Sequence, residues 1–326
     1  MDIAVTGATG FIGTRLSKYL HQRGYHVAAV VRTPEQAQRF DGSGIDTHIC
    51  DLANPTELDP LFKEVDAVLH LAALFNRPEM TWDDYYRVNV DGTRHVMQAA
   101  ERSGVSRVVH CSTVGVATGS GSPPYSEETP YSPAQWDKYE TTKCEGEKVA
   151  LDFHRESGLP VVVIRPAQVY GPGDKSKAKF YRMVKRGIIV NPGKTLKHLI
   201  YIDDLCAAFE SALHNTLAIG EAFIIAGPQP TPLTDLVAIT ARELEVPPAR
   251  IKLPAAPITW LCAGTEMLSQ QLKMKPVLFR RSMDFFTKSV HFDVTKAQTK
   301  LGFQSRVDVP TGVKKTVGWL KEHRLI

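Results

Sequence analysis

The stretch "DIAVTGATGFIGTRL" (residues 2–16) decides how the rest of the chain is read. A short apolar run, Ile3 to Val5, leads straight into Gly7, Gly10 and Gly13, and these open an amphipathic segment. Between a strand and a helix, a glycine-rich turn carries information that the same letters elsewhere would not. The first glycine permits the tight turn, the second lets backbone approach a pyrophosphate, and the third lets helix and strand pack closely. Free N–H groups at the helix N-terminus then face the anion. Gly7, Thr9, Gly10, Phe11, Ile12 and Gly13 are therefore the expected phosphate cradle.

Working outward, the first half alternates apolar runs with amphipathic ones. "DIAVTGA" (2–8), "HVAAVVR" (26–32), "DAVLHLAA" (66–73), "SRVVHCST" (106–113) and "LPVVVIRPAQVYG" (159–171) are rich in Val, Ile, Leu and Ala with little alternation. Strands covered on both faces read this way. Helical patterns lie between them at 14–24, 82–104 and 133–158. Strands alternating with helices imply right-handed crossovers. The expected fold is α/β, a doubly wound parallel sheet of the Rossmann kind with a smaller, mostly helical substrate lobe. The second half is punctuated by Pro and Gly ("AGPQPTPL", "VPPARIKLPAAP"). Its runs at 197–202 and 220–227 could rejoin the sheet, with 288–292 as a further strand. That divides the chain into a nucleotide-binding domain of 1–171 with interleaved 197–227 and 288–292, and a lobe of 172–196, 228–287 and 293–326.

Bulk properties exclude several classes. With 326 residues, 43% hydrophobic and 23% charged, the chain has the profile of an ordinary globular protein able to bury a large core. A net charge of +4 suits small anionic molecules better than nucleic acid, which calls for a clustered basic stripe. Five scattered cysteines argue against a disulfide framework or a metal site and suit a reducing cytoplasm. No run reaches the roughly 18 apolar residues of a membrane span. The expectation is a cytoplasmic protein acting on a small molecule, without metal, membrane or nucleic acid.

The residue about 20 positions beyond the glycines selects the nucleotide. An acid there would accept from a ribose 2′-OH; this chain has Arg32, whose planar fork suits a 2′-phosphate. NADP is favoured, with NAD the alternative, and Arg15 could assist. Asp51 in "CDL", after the third strand, could accept from the adenine amino group or simply cap its loop. Leu52, Leu71, Ala73 and Pro166 complete the expected cofactor surface.

Tyr139 stands four residues before Lys143 in "DKYETTKCEGEK" (137–148), a spacing that "YRMVK" repeats at Tyr181 and Lys185. Ligands sit at the carboxyl ends of strands in such sheets. The run "HCSTVGV" (110–116) puts Ser112 and Thr113 at one such end directly ahead of the first pair, whereas the second pair has none. Hydride exchange at an alcohol carbon needs a proton moved at the oxygen, and a free phenol, with a pKa of about 10, is a poor base near neutrality. Lowering it by two to three units requires roughly 3–4 kcal/mol, a load one close ammonium can carry. Residues i and i+4 share a helix face, so Lys143 can stand beside Tyr139. Thr113 would orient the substrate oxygen, with Ser112 in reserve if the register is shifted by one.

The segments "GATGFIG", "HLAA", "YYRVNVDGT", "STVGV", "YETTK", "RPAQVYGPGD" and "HLIYIDDL" occur in this order. Together they resemble the extended short-chain dehydrogenase/reductase family, which holds sugar-nucleotide epimerases and dehydratases, dihydroflavonol reductases and 3β-hydroxysteroid dehydrogenases. The resemblance runs on through "FDVTKAQTKLGF" (292–303). It implies Tyr139 as proton donor or acceptor, Lys143 as its partner and ribose ligand, and Thr113 at the family's Ser/Thr position. It further implies Ala72 near the nicotinamide ribose, Asn89 bracing the central helix, and dimers formed through 82–104 and 133–158. Val114 and Gly115 follow Thr113 where 4,6-dehydratases carry Asp-Glu, so the acid and base of an elimination are missing. The expected activity is an NAD(P)-dependent ketone/secondary-alcohol oxidoreductase. A sugar-nucleotide epimerase is the alternative, its substrate diphosphate held by the basic run 175–186, and a non-catalytic NADP sensor is a third reading. Trp260, Met267, Met274, Phe285 and Phe286 are candidates for an apolar pocket or for core.

Overall fold

A computed structural model describes residues 1–75, 77, 79–119, 122–134, 137–190, 195–248, 251–254, 257, 258, 260, 262, 265 and 280–326. Six strands come first: β1 Asp2–Thr6, β2 His26–Val31, β3 Asp46–Ile49, β4 Ala67–His70, β5 Arg107–Cys111 and β6 Val161–Pro166. Shorter ones follow: β7 Gln168–Tyr170, β8 Ile188–Val190, β9 Leu196–Lys197, β10 Leu199–Tyr201, β11 Ala222–Ile225, β12 Thr231–Pro232 and β13 Ile251–Leu253. The main sheet has seven strands in the order β11-β6-β5-β4-β1-β2-β3, every neighbouring pair parallel. The chain winds from β1 to one side through β2 and β3, then returns to place β4 on β1's other side. Ligands enter such sheets in the crevice at this reversal, beyond the carboxyl ends of β1 and β4.

The lack of alternation in these runs follows from burial on both faces. Ile3, Val5, Leu69 and Val109 pack under helices Phe11–Gln22 and Ile202–His214. Ala4, Val68 and Val108 pack under Gly92–Ser103 and Lys138–Ser157. Each such side chain of Val or Leu size contributes roughly 1.5–3 kcal/mol by leaving water.

Caps set the helix ends more sharply than the sequence pattern does. The segment expected as helix from 133 becomes helical only at Lys138, because the Asp137 carboxylate accepts from the N–H groups of Tyr139 and Glu140 at 2.9 and 3.1 Å. The 82–104 segment is continuous but contains a π-helical turn, Arg87–Asp91. Two strand expectations are corrected. The run 197–202 leaves the main sheet: β10 pairs with β7, because the chain turns away from β11 after Ala167. The run 288–292 forms no strand, and only Phe292 makes an isolated bridge, to Tyr125. A further core, with Phe180, Tyr181, Leu199, Leu236 and Val317, gathers these later segments under the C-terminal helix Val309–Glu322.

Candidate active site

The glycine turn has the geometry its spacing predicts. Gly7 has φ +68°, and a Cβ there would lie 2.6 Å from the Ala72 nitrogen. A Cβ on Gly13 would lie 2.2 Å from the Gly7 carbonyl oxygen. A Cβ on Gly10 would meet the Gly7 carbonyl oxygen at 3.3 Å, the same oxygen that accepts from the Gly10 N–H at 3.0 Å. Gly10 is the N-cap of helix Phe11–Gln22. The first-turn N–H groups have no side-chain cap and no acid among them, an arrangement that fits a dinucleotide pyrophosphate.

Leu71 and Ala72 lie against this turn; they and Ala73 are partly buried, and the Ala72 N–H donates to Thr6 Oγ1 at 3.3 Å. Pro166 is buried at the end of β6 opposite Ile225. Arg32 is exposed where β2 ends, its backbone N–H bonded to Gln36 Oε1. Arg39, which the sequence reading passed over, reaches back from the next turn to donate to the Thr9 carbonyl at 3.3 Å. Arg15 is corrected: its guanidinium is bidentate on Asp203 at 2.6 and 2.9 Å. Asp51 Oδ1 accepts from the Ala53 N–H, the loop-capping alternative, and the Leu52 carbonyl bonds the His95 ring.

Thr113 and Ser112 separate onto different networks. The Thr113 side chain lies near enough to the Tyr139 phenol to favour its ionised form and accepts from the Gly115 N–H at 3.2 Å. The Ser112 hydroxyl turns the other way and donates to Glu147. Glu147 also accepts from Tyr131 at 2.8 Å and forms an ion pair with Arg165, both partners buried. Tyr139 stands in the first turn of its helix with its ring edge against Phe75, centroids 4.8 Å apart. Burial pushes its phenol above the usual value, Cys111 and Glu140 add to this, and the nearby Thr113 side chain opposes it. The expected lowering by Lys143 is thus not what prevails here. Lys143 is 1% exposed, and burial lowers its ammonium, opposed by Cys111 and Glu147. In the second pair, Tyr181 is buried in the lobe core while Lys185 is exposed.

Polar residues that the sequence reading treated as strand interior lie beneath the site. Thr6, His70 and His110 are aligned across β1, β4 and β5 and are fully buried. His70 bonds Thr6 Oγ1 at 2.7 Å and Thr93 Oγ1 at 3.0 Å. Asn89, in the π turn, accepts from the Leu74 N–H at 2.7 Å and donates to Thr142 Oγ1 at 2.9 Å. It thereby ties the loop after β4 to the helix of Tyr139. A histidine inside an otherwise apolar run, as in "VLHLAA" and "VVHCST", was the available signal.

In the basic run, Lys177 is tied to Asp174 and the Val169 carbonyl. Lys179, Arg182 and Arg186 line a cavity of 240 Å³ with Met183 and Ile188. Phe285 stacks edge-on against Phe180 and Phe286, as core. Trp260 is 80% exposed, and Met267 and Met274 lie outside the described residues.

Comparison with known proteins agrees with this geometry. The chain is 29% identical to the 3beta-hydroxysteroid-dehydrogenase/decarboxylase isoform 1 of Arabidopsis thaliana, over 96% of this chain and 78% of that one. It is 27% identical to the decarboxylating sterol-4-alpha-carboxylate 3-dehydrogenase erg26 of Schizosaccharomyces pombe, over 98% of each. The solved structure of UDP-glucuronic acid 4-epimerase from Bacillus cereus with NAD has the same fold, with a TM-score of 0.78 at 24% identity over 99% of each chain. Residues 3–226 match the model of the family described as NAD dependent epimerase/dehydratase, and with that match over most of its length the chain belongs to this family, the extended short-chain dehydrogenases/reductases.

Proposed function

We propose that this chain interconverts a ketone and a secondary alcohol with NADP, Tyr139 moving the proton. The observation that carries the reading is the placement of Tyr139 in the first turn of helix Lys138–Ser157, beside Thr113 at the carboxyl end of β5 and one helical turn from the buried Lys143. A bound nicotinamide dinucleotide supplies the hydride donor or acceptor, and its ring is positive when oxidised. Gly7 to Gly13 would hold the pyrophosphate, Ala72 would lie at the ribose, and Lys143 would donate to ribose hydroxyls.

A phenol kept protonated near neutrality by burial is suited to donate. Tyr139 delivers its proton to the developing alkoxide as a ketone is reduced, while Thr113 fixes that oxygen. In the reverse direction Tyr139 must lose the proton. Its place in the first turn of helix Lys138–Ser157 then helps, since the positive end of the macrodipole favours the phenolate by about 0.3–1 kcal/mol. Arg32, exposed beside the turn, and Arg39, bonded to Thr9, support NADP over NAD. Met80, Trp82 and Tyr86 are 37%, 43% and 47% exposed at the start of the 82–104 segment, which supports a homodimer. The five cysteines are buried and form no disulfide among the described residues, in keeping with a reducing cytoplasm. The division into a nucleotide domain and a lobe stands as part of the same reading.

The relatives' names suggest a 3β-hydroxysteroid bearing a 4α-carboxylate as the first probe. The expected outcome is nicotinamide absorbance growing in step with ketone, and loss of at least about 100-fold in kcat for Tyr139→Phe, the scale of general acid–base catalysis. The cavity lined by Lys179, Arg182 and Arg186 favours a second reading, an epimerase acting on a sugar nucleotide. Turnover of UDP-glucose with no net absorbance change would establish it. Full activity of Tyr139→Phe on either probe would overturn the assignment.

A further inference from the structure

We infer that His110 is a positioning residue for Lys143: its imidazole Nε2 accepts a hydrogen bond from the lysine ammonium and fixes where that charge sits, one helical turn from Tyr139. The inference rests on the reading of Tyr139 and Lys143 above.

On one face of the sheet the side chains turn from apolar to polar within one strand repeat. Ala4, Val68 and Val108 give way two residues later to Thr6, His70 and His110, all fully buried. Lys143 descends onto this polar row, its Nζ 3.4 Å from His110 Nε2. An ammonium has three donors and no acceptor, so the imidazole nitrogen facing it must accept. That fixes His110 as neutral with its proton on Nδ1, a nitrogen without a partner among the described residues. The neighbouring ring, His70, lies 5.2 Å away with both nitrogens engaged by threonine hydroxyls.

The choice of partner has a consequence for charge. The groups acting on Lys143 are His110 and Cys111 from β5, His70 from β4, and Glu147 on its own helix, with Tyr139 one turn away. Glu147 is already held by Ser112, Tyr131 and Arg165. A carboxylate against the ammonium would anchor it and also cancel its field. A neutral imidazole anchors it and leaves the full positive charge to act on the phenol and on ribose hydroxyls. Burial keeps both histidines neutral, pushing each below the usual imidazole range.

The test is a titration of the chain alone, labelled at lysine 13Cε and histidine 15N, with Lys143→Met used to assign the lysine signal. His110→Phe removes the acceptor and His110→Gln supplies a carbonyl in its place. In His110→Phe, Lys143 is expected to lose its proton about one pH unit earlier, a tenfold change in its equilibrium; His110→Gln is expected to restore the native value. A Lys143 titration unchanged in His110→Phe, with only the melting temperature lowered, overturns the inference. If His110→Phe does not fold, the native 15N spectrum decides. An unprotonated Nε2 that shifts in Lys143→Met supports the inference, and a protonated Nε2 overturns it. No substrate is used, so these results stand apart from Tyr139→Phe turnover, which tests the catalytic reading by itself.

Discussion

Ser112 and Thr113 are adjacent in the chain and serve different networks, because successive side chains of extended backbone point to opposite faces. Thr113 meets Tyr139, and Ser112 meets the buried Glu147–Arg165 pair. Thr113→Val should lower kcat with little loss of stability. Ser112→Ala should cost about 1–3 kcal/mol in denaturant unfolding, because it strips a donor from a buried carboxylate. Equal effects of the two on both measurements would show that the division is wrong. Arg32→Ala should weaken NADPH by roughly tenfold or more, about 1.4 kcal/mol, while leaving NADH unchanged, as read by fluorescence titration. Both residues were nameable from sequence, whereas the tie between Arg15 and Asp203 joins positions 188 apart and leaves no local trace.

At the scale of elements, the helix Lys138–Ser157 carries the chemistry, and its docking is tight at one point. A Cβ on Gly146 would lie 2.4 Å from the Asn89 carbonyl oxygen, so helix and π turn approach as only glycine allows. Gly146→Ala should destabilise the fold by about 1–3 kcal/mol, as overpacking does, and should lower turnover as the helix shifts. Stability equal to the native chain in thermal melts would contradict this. Element type was legible wherever periodicity and burial agreed, as in β1, β2, β4, β5 and β6, whereas β3, the half-exposed DTHI of Asp46–Ile49, gave no such run. It failed for 197–202 because an apolar run does not name its partner: Leu199–Tyr201 is as buried as a sheet strand, yet pairs with Gln168–Tyr170. It failed for the start at 133 because a single cap, Asp137, outweighs the pattern upstream.

For the whole molecule, the order of seven parallel strands brings the glycine turn, the Ala72 loop and the Thr113–Tyr139 pair to one edge. The same wrapping buries His70 and His110, which has a cost in acid. Burial lowers His70 to about 3, whereas an unfolded imidazole titrates near 6.5. Between those values the unfolded chain binds more protons than the folded one, so stability rises with pH and is lost as pH falls below about 6.5. Each such histidine contributes up to about 1.4 kcal/mol per pH unit in that window. Denaturant midpoints measured from pH 7 to pH 5 should therefore fall, and fall less in His70→Gln. Chain order and composition implied the sheet, but the buried row of polar side chains depends on register between strands far apart in sequence.

The account turns on a phenol that moves a proton to and from a substrate oxygen held by Thr113. The direct measurement is the structure of this chain with NADP and a ketone ligand bound. The predicted result has the Tyr139 hydroxyl within about 2.6–3.2 Å of the ligand oxygen, on the nicotinamide side, with Thr113 bonded to that same oxygen. A Tyr139 hydroxyl directed away from the nicotinamide, with the ligand oxygen bonded elsewhere, would contradict it.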